Sequence, residues 1–252
     1  MPIVAVGEAA LPLSARRTVT VLVWYLGVQL AVNAPIFVAR RLALTGSPET
    51  RAHYLRVVLS LRAPVAMLGY VCAAWIGFIL IRQSFPAGAW PTVVATLGRR
   101  PSSWRAIFLG IAAGVALPAL PFLAATGRLT GSSDHSFHPV SPILAGFPGQ
   151  LAFVVVAVAV APLIEEFLFR GFLLTGFSNA LGRWPAMLIT TILFTLTHVP
   201  RTGGRLPPLV SIALLGTLAL VARMRTRSLW PGMAFHASYN ATVSTLLLAY
   251  AT

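Results

Sequence analysis

Acidic residues are almost missing from this chain: Asp and Glu together number five in 252 residues, and Asp134 is the one aspartate. Lysine is absent, so all 19 basic residues are arginines. Charged residues make up 10% of the sequence, against about 25% in soluble domains. So few charges cannot cover a water-facing surface, which excludes an ordinary soluble globule and leaves lipid as the solvent for most of the chain. The single cysteine, Cys72, lies inside an apolar run. That excludes a disulfide framework and a cysteine-based zinc site, and makes Cys72 a small buried hydrophobe. With the one aspartate in a polar loop, no Ser–His–Asp set is available, and no glycine-rich phosphate loop is present.

What is abundant is apolar: 57% of residues are hydrophobic and the mean hydropathy is +0.82. Runs long enough to span a bilayer lie at 19–39, 63–81, 104–126, 143–164, 185–200, 206–222 and 229–251. They predict an all-α, polytopic transmembrane bundle of about seven spans, six to eight by length. Pro118 and Pro121 predict a kink in the third run, and Pro207 and Pro208 open the sixth as helix starts. The mixed stretch 49–62 reads as an amphipathic helix lying in the interface, and 85–98, broken by Pro86 and Pro91, as a re-entrant or interfacial piece. The N-terminal stretch has its apolar residues before its arginines and an acid, Glu8, among them; that is the wrong order for a signal peptide, so the first span is expected to be an uncleaved anchor. Trp24, Trp75, Trp90, Trp104, Trp184 and Trp230 mostly flank the runs, as interfacial anchors do.

The net charge is +14. The arginines sit between apolar runs, where they orient the chain and meet anionic head groups; they form no stripe, so nucleic acid is not an expected partner. Alternate loops carry 11 arginines against 8, which favours an N-terminus on the inside. The polar loop 127–142 divides the chain. Residues 1–140 hold N-terminal spans with interfacial segments; residues 141–252 hold a four-helix core that contains every polar residue of interest. His135 and His138 in the loop are three apart, and a solvated loop explains them better than a metal site.

Glu8, Glu49 and Asp134 fall in expected loops or tails. Glu165 and Glu166 do not: they follow a long apolar run and precede FLF. A carboxylate at bilayer depth costs about 3 kcal/mol on insertion scales. Glu166 and Arg170 are four apart, share a helix face and can pair. Glu165 points about 100° away and faces a different surface. His198, alone in its run, is of the kind that more often just satisfies a hydrogen bond. His236 and Asn240 are four apart on one face. If the fourth and fifth runs form an antiparallel hairpin about 178–184, Glu165 and His198 both lie about 20 Å from the turn. The seventh run starts on the same side and carries His236 about 12 Å in and Asn240 about 18 Å in. Four polar side chains from three helices can therefore meet at one level.

Glu and His together can hold and deprotonate a water, while His and Asn can donate to an oxyanion. Alternatively, Glu165, His198 and His236 could ligate a divalent metal such as zinc, whose bound water has a pKa near 7. Both schemes hydrolyse an acyl bond.

Three segments, EEFLFR at Glu165, Glu166 and Arg170, FTLTH at Phe194 and His198, and HASYN at His236 and Asn240, resemble the signature of the CAAX prenyl endopeptidase and bacteriocin-processing (CPBP) family of intramembrane proteases. The resemblance covers about 145–251. It implies that Glu165 and His198 activate water, that His236 and Asn240 stabilise the oxyanion, and that Glu166 and Arg170 support them. It also implies a multi-pass protein, expected in the plasma membrane of a bacterium, that cuts membrane-associated and in some members prenylated proteins or peptides; the family has carried a metalloprotease label. Two rivals differ in class: a transporter or proton relay, which also uses intramembrane Glu and His, and a non-catalytic immunity or partner-binding member. The asymmetry of the chain argues against the first, the intact motifs against the second. Neither the oligomeric state nor the substrate follows from the sequence.

Overall fold

The computed structural model describes residues 13–85, 87–89, 98, 102–125, 151, 153–202 and 206–249. The polar loop with Asp134, His135 and His138, the proposed boundary near 140, Glu8, and residues 86 and 90–97 of the stretch 85–98 lie outside the described residues. Among the described residues the chain is all-helical, with no strand.

Helix α1 (Ala15–Thr45) starts at Ser14, whose hydroxyl accepts from the Arg17 backbone N–H at 3.3 Å. Gly46 and Ser47 turn the chain into α2 (Pro48–Gln83). Ser47 caps the Thr50 N–H, Pro48 occupies the first turn and Glu49 faces the helix dipole from that turn, so the start of α2 is written in four consecutive residues. Two corrections follow. Glu49 is helical, not in a loop. The stretch 49–62 is no separate interfacial helix: it continues without a break into 63–81, because a capped start propagates through any residues that keep the backbone bonds. Helices of 31 and 36 residues are about 46 and 54 Å long, beyond a hydrocarbon core of about 30 Å. They pack along each other as a hairpin.

Helix α3 (Trp104–Ala125) lies against the last helix, α8 (Trp230–Ala249). Gly110 and Gly114 make that approach: a Cβ at Gly110 would run into the Pro231 carbonyl, and one at Gly114 into the Phe235 carbonyl and the Ser238 hydroxyl. Small residues four apart let helix backbones meet where lipid gives no hydrophobic drive to association. Between them in sequence, α4 runs in four consecutive pieces: a π turn Val156–Val160, α-helix Ala161–Glu165, a π stretch Glu166–Leu173 and α-helix Leu174–Leu181. It reverses at Gly182, whose φ of 84° suits glycine alone, into α5 (Arg183–Thr197). The expected hairpin about 178–184 thus narrows to one residue. His198 interrupts before a single turn, α6 (Val199–Thr202), so α5 stops short of Pro200; α7 (Leu206–Thr226) follows.

Polarity is distributed inside out. Buried side chains include Thr18, Glu165, Glu166, Arg170, Thr190, Ser211 and His236, while Trp75, Leu109, Leu188 and Leu206 are exposed by 63% or more. An exterior of large apolar side chains is unstable in water and suited to lipid. Helix α7 is the one described helix both long and apolar enough to cross a membrane; Met67–Gln83 and Trp104–Ala119 are shorter apolar stretches.

Candidate active site

The site grows from a proline. Pro162 has no N–H to continue the helix of α4. The ladder slips at that point: the Ala161 N–H bonds the Val156 carbonyl, five residues back. The Ala157 carbonyl then loses both helical donors, since Ala161 N–H is committed and Pro162 has none. Asn240 of α8 supplies the missing donor, its Nδ2 giving a 2.7 Å hydrogen bond to Ala157 O. An apolar helix cannot leave that carbonyl bare, so α4 and α8 are tied together two turns before the acidic pair. A second slip follows at Glu166–Leu173, where the Leu174 N–H reaches the Phe169 carbonyl. Such π segments concentrate at functional sites.

Glu165 and Glu166 are both buried, at 3% and 0% exposure. Glu166 Oε1 takes Arg170 Nη1 at 3.1 Å and His236 Nδ1 at 3.1 Å. Arg170 also donates through Nη2 to Gly216 O at 3.0 Å and lies over the Phe194 ring at 4.0 Å. A Cβ at Gly216 would stand 3.0 Å from Phe194 and 3.2 Å from Arg170 Nη2, so α7 carries glycine where the guanidinium comes closest.

Glu165 turns the other way. Tyr70 of α2 donates its phenol to Glu165 Oε1. Glu165 Oε2 faces His198 Nε2 at 3.8 Å and His236 Nε2 at 3.7 Å. The two faces expected for the acids are therefore joined by one imidazole: His236 touches Glu166 with Nδ1 and approaches Glu165 with Nε2. Both imidazoles are set in the same tautomer by their other nitrogen. His198 Nδ1 lies 2.8 Å from the Phe194 carbonyl, which can only accept, and His236 Nδ1 meets a carboxylate. Each ring then carries its proton on Nδ1 and a lone pair on Nε2. Phe194, fully buried, packs against both rings at 4.8 and 5.7 Å and closes that side to water. The His198 side chain keeps 13% exposure against 2% for His236, so the site opens on the His198 side.

Glu165, Glu166, Arg170, His198 and His236 thus meet as the sequence suggested. Asn240 does not sit at the carboxylates; it lies one turn further along α8, at Ala157. Tyr70 was missed. Its signal was a tyrosine inside an apolar run, whose hydroxyl needs a partner when buried.

Two lone pairs and a carboxylate oxygen converge at 3.7–3.8 Å. That is too far for direct hydrogen bonds. The donor types also suit zinc, and each Nδ1–H is handed to a carboxylate or carbonyl as in the outer shell of metal-bound histidine. The separations exceed the about 3.4 Å between neighbouring ligands of a tetrahedral zinc, and among the described residues no group of three or more His, Cys, Asp or Glu side chains forms a metal-holding cluster.

A buried Glu–His–His centre with a paired arginine, in a helical chain with a lipid-suited exterior, is an arrangement that can hold and deprotonate a water. Residues 147–242 match the family model described as Type II CAAX prenyl endopeptidase Rce1-like. That stretch is under half of the 252 residues, and over it the chain is similar to the type II CAAX prenyl endopeptidases. No curated protein and no solved structure matches the chain significantly.

Proposed function

We propose that the protein is a multi-pass endopeptidase of a bacterial plasma membrane, cutting peptide bonds of membrane-associated, including lipidated, proteins or peptides. The observation that carries this reading is the convergence of His198 Nε2 and His236 Nε2 on one oxygen of the buried Glu165, at 3.8 and 3.7 Å. A water between Glu165 and His198 donates to both and turns its oxygen lone pair toward an entering carbonyl carbon. As the C–O bond forms, Glu165 takes the water proton. The oxyanion is met by Asn240, whose amide has two N–H bonds, one held by Ala157 O and the other serving the substrate. His236 joins it when the proton taken by Glu165 is shared with Nε2, which lies 3.7 Å from Oε2. Collapse of the tetrahedral adduct breaks the C–N bond, and the proton held at Glu165 passes to the leaving amine. Glu166 and Arg170 hold His236 in place throughout.

The spans proposed for the rest of the chain rest on the outward-facing apolar side chains of α1, α2, α3 and α5. Substrate is then expected to enter laterally from lipid or from the interface on the His198 side. Comparative membrane proteomics of cells bearing wild type or Glu165→Gln tests the activity. Fragments present with the wild type and missing with the variant identify the substrate; identical fragment sets would overturn the endopeptidase reading.

A zinc ion is a proposal of its own. Glu165, His198 and His236 would hold it, and it would supply an acidified water. The expected result is close to one zinc per chain in active purified protein, with activity lost to a membrane-permeant chelator and restored by added zinc. Elemental analysis showing well under one metal ion per active chain retires the ion and leaves water activation to Glu165 and His198.

A further inference from the structure

We infer that Tyr70, on α2, is a positioning residue for Glu165, so that the N-terminal half of the chain completes the active site. The inference rests on the endopeptidase reading above. Tyr70 lies outside the stretch that matches the protease family, residues 147–242, and 95 positions before the carboxylate it touches.

Among the described side-chain positions of α2 the buried ones are Gly69, Tyr70, Ala73, Gly77 and Ile81. Tyr70 is the large side chain with a polar tip among them, 2% exposed; the others are small or aliphatic. The tip reaches past the hairpin of α1 and α2 into the catalytic helix and donates to Glu165 Oε1.

That bond makes the two oxygens of Glu165 inequivalent. Oε1 is engaged by the phenol; Oε2 is the oxygen that faces His198 and His236. A carboxylate turns readily about its last torsion, which is broad and two-fold. With the phenol removed from Oε1, rotation can move Oε2 off the line between the two imidazoles. Glu166 needs no such help, because Arg170 and His236 both hold its Oε1. Tyr70 therefore does for Glu165 what Arg170 does for Glu166, and does it from the other half of the protein. It touches neither water nor substrate in this scheme; it acts through the carboxylate.

The test is Tyr70→Phe, which keeps the ring and removes one oxygen. Cleavage is followed with an internally quenched peptide carrying a prenylated cysteine, beside wild type and Glu165→Gln. The expected result is a kcat lower by roughly 10- to 100-fold, the scale of a misplaced catalytic group, with KM within about twofold of wild type since substrate contacts are untouched. A merely structural tyrosine leaves kcat per folded molecule unchanged. Thermal melts in detergent close a double-mutant cycle: Tyr70→Phe should lower Tm in the wild-type background and add little in a Glu165→Ala background, which offers the phenol no acceptor. Wild-type kcat in Tyr70→Phe, with Glu165→Gln inactive, overturns the role of Tyr70 and leaves the endopeptidase reading standing. Full activity in Glu165→Gln overturns that reading and this inference with it. If the wild type does not cut the probe, the endopeptidase reading loses its support there; additive melting shifts in the cycle then overturn the coupling of the two side chains independently of any substrate.

Discussion

Glu165→Gln is expected to abolish cleavage while the protein still inserts, folds and melts close to wild type. The amide keeps the shape of the side chain and can still accept from the Tyr70 phenol through its carbonyl oxygen, so the packing of a residue 3% exposed is preserved. What is lost is the oxygen that faces His198 Nε2 and His236 Nε2 at 3.8 and 3.7 Å as a base. A neutral amide cannot take the water proton. General-base catalysis is worth about 100- to 10,000-fold, and the variant should lose that factor in kcat. Purified variant assayed at saturating substrate checks it; a rate within about threefold of wild type removes Glu165 from the chemistry and returns it to a structural role.

Arg170→Ala should have the largest effect on stability. Arg170 is 3% exposed and serves three partners: Glu166 Oε1 at 3.1 Å, Gly216 O at 3.0 Å and the face of Phe194 at 4.0 Å. Truncation leaves Glu166, itself 0% exposed, as a charge without its cation. Breaking a buried pair in this way costs about 3–5 kcal/mol. Activity should fall with stability, because Glu166 also holds His236 Nδ1. The double change Glu166→Gln with Arg170→Met removes both charges and refills the volume, and should recover most of the lost Tm, since replacing a whole buried pair by groups of similar size is often neutral. Melts in detergent decide it. If single and double variants melt alike, the charge left behind is not what destabilises the single one.

The pair Glu166 and Arg170 was readable because both ends lie on one helix, where a spacing of four places them together. The same holds for the start of α2, where cap, proline and acid are consecutive. The extent of α2 was not readable. Its arginine-bearing first half and apolar second half look like two segments by composition, yet backbone bonding is blind to that difference and runs through both. The bond that Asn240 makes was not readable either. Its partner is a carbonyl orphaned by Pro162, and a slipped register leaves no mark in a pattern read at 3.6 residues per turn. Gly110 and Gly114 were visible as letters and silent in meaning until α8 lay across them.

The composition alone pointed to lipid as the main solvent, because 10% charged residues cannot wet a surface. It also determined that two adjacent acids inside an apolar run need partners, because an unpaired charge is too costly there. Which partner each acid takes was decided only by the tertiary structure. Arg170 could reach Glu166 alone, along its own helix. Tyr70, 95 residues away, and His236, 70 residues from Glu166, reach the acids through helix packing, and no local spacing encodes a contact made by the way two helices cross.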